Sequence, residues 1–247
     1  MTLRLWMTMT YQGICHFKTP KGVSEIKLSM NKIHLMDCME GMAQIPDKYF
    51  ELAIVDPPYG IGESKKKREN RNDRWKSPDI KLHNPKEWDK EPPCQIYFDE
   101  LFRVSKNQII WGGNYFIDKI QKPSMGWVFW DKKNGDSDFS DGELAFTSFN
   151  KGVRKFEWLW NGFQKEKPEK RFHPTQKPVA LYKWLLTNYA KKGEKILDTH
   201  VGSGSSFIAA YDLGFDIMGF EIDEDYWKAA SKRLDDYTAQ IQFKDLI

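Results

Sequence analysis

The sequence holds few of the features that mark secreted, membrane or metal-binding proteins. Its 247 residues include three cysteines, Cys15, Cys38 and Cys94. An odd number at scattered spacing argues against a disulfide framework and fits a reducing compartment. No apolar run approaches the length that spans a bilayer, and no charged segment followed by an apolar stretch opens the chain. A soluble, intracellular protein with no membrane partner is expected. The net charge is only +3, from 38 basic and 35 acidic side chains. Any polyanion-binding surface must therefore be local. The five histidines (16, 34, 83, 173 and 200) fall at no ligand spacing, so no metal site is expected. Internal repeats and coiled-coil heptads are absent.

What is present is regular punctuation from residue 31 onward. Short apolar strands read at 32–37, 50–55, 108–111, 126–131, 143–149, 155–160, 195–200 and 216–221. Helices read at 38–45, 95–104, 179–189, after the glycines at 202–204, and from Asp223. In the 179–189 segment Val179, Tyr182, Leu186 and Tyr189 recur at helical spacing. Strands alternating with helices predict an α/β protein with a doubly wound, mostly parallel, Rossmann-like sheet. The length suits one such domain, over 31–247. Residues 1–30 form an appendage, read either as a hairpin turning at Pro20-Lys21-Gly22 or as sequence preceding a start at Met30. Residues 61–93 lose apolar periodicity and read as a long mobile loop facing the substrate, and 161–172 as a short charged segment for recognition or linkage.

Two strand ends carry the chemistry. The first is "IVDPPYGIG", where Asp56, Pro57, Pro58 and Tyr59 follow a buried-type strand. Consecutive prolines offer no N–H to a ladder, so they end the strand and stiffen the turn after it. The second is "ILDTHVGSGSSFIAA", an acid at Asp198 followed by Gly202, Ser203, Gly204 and Ser205 at a helix start. Glycines there allow close backbone approach, and the helix start offers unpaired N–H groups. One strand later Glu221 stands where a carboxylate can accept both hydroxyls of a ribose. The third glycine of a G-x-G-x-x-G dinucleotide fingerprint is missing, which disfavours a nicotinamide or flavin oxidoreductase. If the two strands are neighbours, both motifs face one crevice.

"DPPY", "HPTQKP" (173–178) and "DTHVGSGS…GFEID", in that order, resemble the S-adenosylmethionine-dependent amino-methyltransferases of DNA. The match is to the permuted β group, in which the catalytic half precedes the cofactor half, and it spans about residues 31–240. The resemblance implies a circularly permuted methyltransferase fold, S-adenosylmethionine as cofactor and DNA as partner. By position, Asp198, Gly202 and Gly204 would meet the methionine part of the cofactor, with Ser203 and Ser205 in the same turn, and Glu221 its ribose. Asp37 and Cys38 would meet the adenine, and Thr175, Gln176 and Lys177 would line the methionine pocket. The family usually carries Pro-Phe after the strand-end acid; this chain has Thr199-His200, and His200 can pack over the cofactor as the phenylalanine does. The resemblance also implies a cytoplasmic protein of a bacterium or phage-infected cell, and leaves a homodimer and a cognate nuclease open as partners.

The chemistry fits the motif. An exocyclic amino nitrogen is a poor nucleophile because its lone pair is delocalised. Acceptors on both amino hydrogens favour its pyramidal form and stabilise developing charge. Asp56 and the Pro57 carbonyl suit that task, Pro58 stiffens them, and Tyr59 offers a face to an extruded base. An Asp at the head of the motif leans to adenine N6, by resemblance; cytosine N4, RNA or protein-amide methylation and an inactive binding subunit are the alternatives. "KKKRENRNDRWK" carries seven basic residues (Lys65, Lys66, Lys67, Arg68, Arg71, Arg74 and Lys76) and two acidic ones. It reads as a contact to nucleic-acid backbone, against the plainer reading of a solvated charge run. Cys94 in "PPC" resembles the attacking thiol of cytosine-C5 enzymes, but the rest of that motif set is missing, and an ordinary helix-face residue is expected.

Overall fold

The computed structural model describes residues 28–61, 89, 91–135, 140–160, 166, 169 and 173–244. The N-terminal appendage up to residue 27, the basic run at 65–76 and most of 161–172 lie outside the described residues.

The chain forms an α/β sandwich around one eight-stranded sheet. In chain order the elements are β1 (Lys32–Leu35), α1 (Cys38–Met42), β2 (Phe50–Val55), α2 (Gln95–Val104), β3 (Ser105–Trp111), α3 (Ile117–Ile120), β4 (Trp127–Asp131), β5 (Gly142–Thr147), β6 (Arg154–Glu157), α4 (Val179–Tyr189), β7 (Lys195–Asp198), α5 (Ser205–Leu213), β8 (Asp216–Glu221) and α6 (Glu224–Lys244). The spatial order is β1-β8-β7-β2-β3-β5-β4-β6. Strand β5 alone runs against its neighbours on both sides. The doubly wound, mostly parallel sheet expected from the sequence is present.

The near-continuous apolar run of β2 follows from its place at the centre, covered on both faces. Leu52 and Ile54 enter the core shared with α4 and α5, while Ala53 and Val55 enter the opposite core with α2 and α3. This is the two-residue alternation of a strand. In α4 the buried residues are Leu181, Tyr182, Leu185, Leu186 and Tyr189, the face predicted from spacing with two leucines added.

Several boundaries differ from expectation: β1 ends at Leu35 and β7 at Asp198, β3 already begins at Ser105, β4 begins at Trp127, and β5 runs from Gly142 to Thr147. Helix α1 ends at Met42, and residues 43–45 form turns. Strand β6 stops at Glu157 because its partner β4 ends at Asp131. Trp160 then turns inward, and its Nε1 donates to the Gln176 carbonyl at 3.0 Å. Cys94 is the residue before α2, in extended conformation at its N-cap, and does not sit on a helix face.

Strands β2 and β7 are parallel neighbours, with Leu52 opposite Ile196 and Ala53 opposite Leu197. From β2 the chain crosses to β3 on one side; from β7 it crosses to β8 on the other. Strand order reverses here, so a crevice opens beyond the carboxyl ends of these two strands. Asp56 and Asp198 stand at its two lips.

Candidate active site

On the β2 side, the Asp56–Tyr59 turn is held by close packing. Gly60, at φ 74°, follows Tyr59; a Cβ there would lie 2.5 Å from Pro92 Cδ. Its N–H donates to the buried Asp89 carboxylate at 2.8 Å. Gly112 follows β3 at φ 69°, and a Cβ on it would come within 2.3 Å of the Tyr59 ring. Only glycine satisfies both the conformation and the approach. Tyr115 stacks on Tyr59 with centroids 5.0 Å apart and remains 46% exposed.

Asp56 belongs to a compact charged group. Its Oδ1 accepts from Tyr59 Oη at 2.8 Å and from Lys177 Nζ at 2.5 Å. Its Oδ2 has no hydrogen-bond partner among the described residues. Lys177 is 4% exposed and also meets Glu143 Oε2 at 3.1 Å, while Lys132 meets Glu143 Oε1 at 2.5 Å. Burial raises the Asp56 carboxyl above its ordinary range; Lys177 opposes this and Glu143 adds to it. Burial alone would raise Glu143 too, but Lys177 and Lys132 outweigh it and hold that carboxyl down at about 2. Lys177 loses hydration by burial yet is held above the usual lysine range by Asp56 and Glu143.

On the β7 side the acids are held by hydroxyl and backbone donors. Asp198 accepts from Ser206 Oγ at 2.5 Å and from the His200 N–H at 3.0 Å. Burial pushes its carboxyl up to about 7, with Asp56 and Glu221 adding to the rise. Glu221 accepts from the N–H groups of Gly202 at 2.8 Å and Asp223 at 2.9 Å. Gly202 and Gly204 take φ values of 54° and 77°, carrying the chain from β7 into α5. A crevice opens between Met36, Asp37, Cys38, Thr199, His200, Phe220, Glu221 and Ile222. Asp37 caps α1, its Oδ1 accepting the Met39 N–H at 2.7 Å. Burial pushes the Cys38 thiol above its ordinary range, and Asp37 adds to that. The His200 ring lies edge-on to Tyr97 at 5.5 Å.

The fold thus brings Asp37, Cys38, His200 and Glu221 into one crevice wall. Lys177, placed by resemblance with the methionine pocket, has its ammonium on Asp56. Thr175 is exposed and bonds the His173 ring, at 3.1 Å from its Oγ1. Gln176 is buried. The hydroxyls of Ser203 and Ser205 face each other at 3.1 Å, and Arg233 of α6 holds the Ser203 carbonyl and the Ser205 hydroxyl. Sequence reasoning missed Glu143, Lys132, Tyr115 and the buried pair Tyr97 and Thr199. Glu143 opens an apolar strand, so it reaches the carboxyl edge of the sheet only because β5 is reversed.

A DNA methylase family of the N6/N4 type matches residues 73–232. The chain belongs to this family. It is a DNA amino-methyltransferase, and the match starts just beyond the Asp56–Tyr59 turn. Among curated relatives, the type II methyltransferase M.HinfI of Haemophilus influenzae is 24% identical over 83% of this chain and 68% of its own. The fold of the methylase is shared with TTHA0409 of Thermus thermophilus, a putative DNA modification methylase solved with S-adenosyl-L-methionine. That likeness has a TM-score of 0.53 at 17% identity, over 83% of this chain and 95% of that one. The PvuII DNA methyltransferase, described as cytosine-N4-specific, has the same fold, with a TM-score of 0.54 at 11% identity over 86% and 93%.

Proposed function

We propose that the methylase transfers a methyl group from S-adenosylmethionine to the N6 amino group of an adenine extruded from DNA. The observation that carries this reading is the state of Asp56. One of its oxygens is fixed by Tyr59 and Lys177, and the other is an open acceptor at the strand-order reversal.

The β7 half suits the methyl donor. Glu221 and Asp37 line one crevice, and the Gly202 N–H ties the glycine turn to the Glu221 carboxylate. No Lys or Arg pairs with Asp37, Asp198 or Glu221 among the described residues, so this wall is acidic and fits a cationic ligand. S-adenosylmethionine supplies a methyl group on a positively charged sulfur. Asp198 together with the Gly202–Ser205 turn meets its amino-acid end, and Glu221, Asp37 and Cys38 its nucleoside end.

On the β2 half, Asp56 Oδ2 and the Pro57 carbonyl accept the two amino hydrogens of the base. Held so, the nitrogen would be pyramidal; the bound methyl donor would supply the methyl group, the electron pair of its broken carbon–sulfur bond staying on sulfur. The extra proton on nitrogen leaves through the acceptor it already touches, Asp56. Lys177 opposes the effect of burial and favours the ionised form of that carboxylate, and Glu143 holds Lys177. Tyr59 and Tyr115 offer the aromatic surface for an unstacked base.

The test is transfer of tritiated methyl from S-adenosylmethionine to unmethylated DNA, followed by nucleoside analysis. Label in N6-methyladenine supports the reading. Label in N4-methylcytosine keeps the mechanism and overturns the base; no label in DNA overturns the substrate.

A further inference from the structure

The wall of the crevice contains a proton-ordered chain. Tyr97 Oη and Thr199 Oγ1 are 2.7 Å apart, and Thr199 Oγ1 lies 2.9 Å from His200 Nδ1. Tyr97 and Thr199 are each 2% exposed, and neither hydroxyl has another hydrogen-bond partner among the described residues. Three arrangements are possible. If Tyr97 and Nδ1–H both donated to Thr199, the buried Thr199 hydroxyl hydrogen would be left without an acceptor among the described residues. If His200 Nδ1–H donated to Thr199 and Thr199 to Tyr97, the Tyr97 hydroxyl hydrogen would be buried without an acceptor. A buried, unmade hydrogen bond is the costly arrangement. In the other direction Tyr97 donates to Thr199, Thr199 donates to Nδ1, and every hydrogen is used.

That direction makes Nδ1 the acceptor. A neutral imidazole then carries its hydrogen on Nε2. Burial pushes His200 down to about 4, so the ring is neutral at physiological pH. Across the ring from Nδ1, Nε2 has no partner among the described residues, and His200 is one of the residues that line the crevice. The groups around it are Tyr97 edge-on at 5.5 Å, the Asp198 carboxylate under its backbone N–H, and Asp37, Cys38 and Glu221, which line the same crevice.

We propose that His200 donates a hydrogen bond through Nε2–H to the nucleoside part of the bound methyl donor, in a tautomer fixed by the buried Tyr97–Thr199 pair. This rests on the reading of the crevice as the cofactor site, and it adds a polar contact where the family usually has a phenylalanine. The acceptor is a ribose oxygen or a ring nitrogen of an adenine nucleoside. Thr199 and His200 are thus one substitution in two parts, since a proline before the histidine would leave the ring's tautomer unset.

The experiment combines two readouts on the full chain. Long-range proton–nitrogen spectra of histidine-labelled protein, with His200→Phe to assign the signal, report the tautomer without any ligand. Calorimetric binding of S-adenosylhomocysteine reports the contact. The expected results are a single Nε2–H tautomer in the wild type and a mixture in Tyr97→Phe. Affinity should fall about tenfold in His200→Phe, the scale of one lost hydrogen bond, and about threefold in Tyr97→Phe. Tyr97→Phe keeps the ring packing and covers the case in which His200→Phe misfolds. An Nδ1–H tautomer in the free wild type overturns the proposal. So does unchanged affinity in both variants when the wild type binds. Failure of the wild type to bind S-adenosylhomocysteine overturns the cofactor reading itself, and the proposal with it.

Discussion

The two lips of the crevice solve the same problem in opposite ways. Each is a carboxylate at the end of a parallel strand, partly buried at Asp56 and buried at Asp198, and loss of hydration raises both. At Asp56 the compensation is a cation: Lys177 sits on the carboxylate, Glu143 on Lys177 and Lys132 on Glu143. At Asp198 the compensation is neutral, from one hydroxyl and one backbone N–H. The first group is complete in the free protein, with one oxygen left over for a neutral amino group. The second is short of positive charge until a cationic ligand arrives. A reaction that joins a neutral nucleophile to a cationic donor needs that asymmetry.

Mutations that erase the asymmetry should have graded effects. Asp56→Ala should lower methyl transfer most, by about 10³-fold or more, since it removes the acceptor that acts in the transition state. Lys177→Met should cost about 10²-fold at neutral pH and move the acidic limb of the pH–rate profile upward by about one pH unit. The sign follows from the cation: Lys177 favours ionised Asp56, so its loss lets burial and Glu143 raise that carboxyl further. Single-turnover rates across pH measure this, and an unmoved limb would contradict the role given to Lys177.

Asp198→Asn should weaken S-adenosylhomocysteine by about tenfold, a loss on the scale of one charge-assisted contact. It should also change the pH dependence of stability. The folded-state value of Asp198 is about 7, above its ordinary 3.8. Its contribution is therefore fully present below the ordinary carboxylate range and is lost as pH rises through about 7. Thermal melts of the cofactor-free protein between pH 5 and 8 should decline with pH, and the decline should be shallower in Asp198→Asn. Glu143 has the opposite sign: held at about 2 against an ordinary 4.5, its contribution is lost only as the solution is acidified through that window. Gly112→Ala should leave the charges of both lips in place and cost about 1–3 kcal/mol of stability, because its Cβ meets the Tyr59 ring at a positive φ. Chemical denaturation gives the figure.

Much of this was legible in the sequence because burial and spacing write directly into residue type. The apolar run before Asp56 announced a central strand, and the spacing in 179–189 gave α4 its bounds. The juxtaposition of Asp56 and Asp198 was legible only as a condition, that their strands be neighbours, and the pairing of β2 with β7 meets it. What escaped depends on strand direction and side-chain reach. A glutamate at the start of an apolar strand looks like a solvent-side residue, and only the reversal of β5 brings Glu143 to Lys177. Lys177 stands in a motif tied by resemblance to the methionine pocket, yet its long side chain reaches the other lip. Thr199 and His200 read as a departure from the family pattern, and their meaning depends on Tyr97, 102 positions away in sequence.

The most direct measurement sets Asp56→Ala and Asp198→Asn side by side, with S-adenosylhomocysteine affinity and single-turnover methyl transfer to DNA at saturating cofactor for each. The division between the lips predicts that Asp56→Ala binds like the wild type and transfers nothing, whereas Asp198→Asn binds more weakly and recovers most of its transfer rate at saturation. Equal losses of binding and transfer in both variants would contradict it.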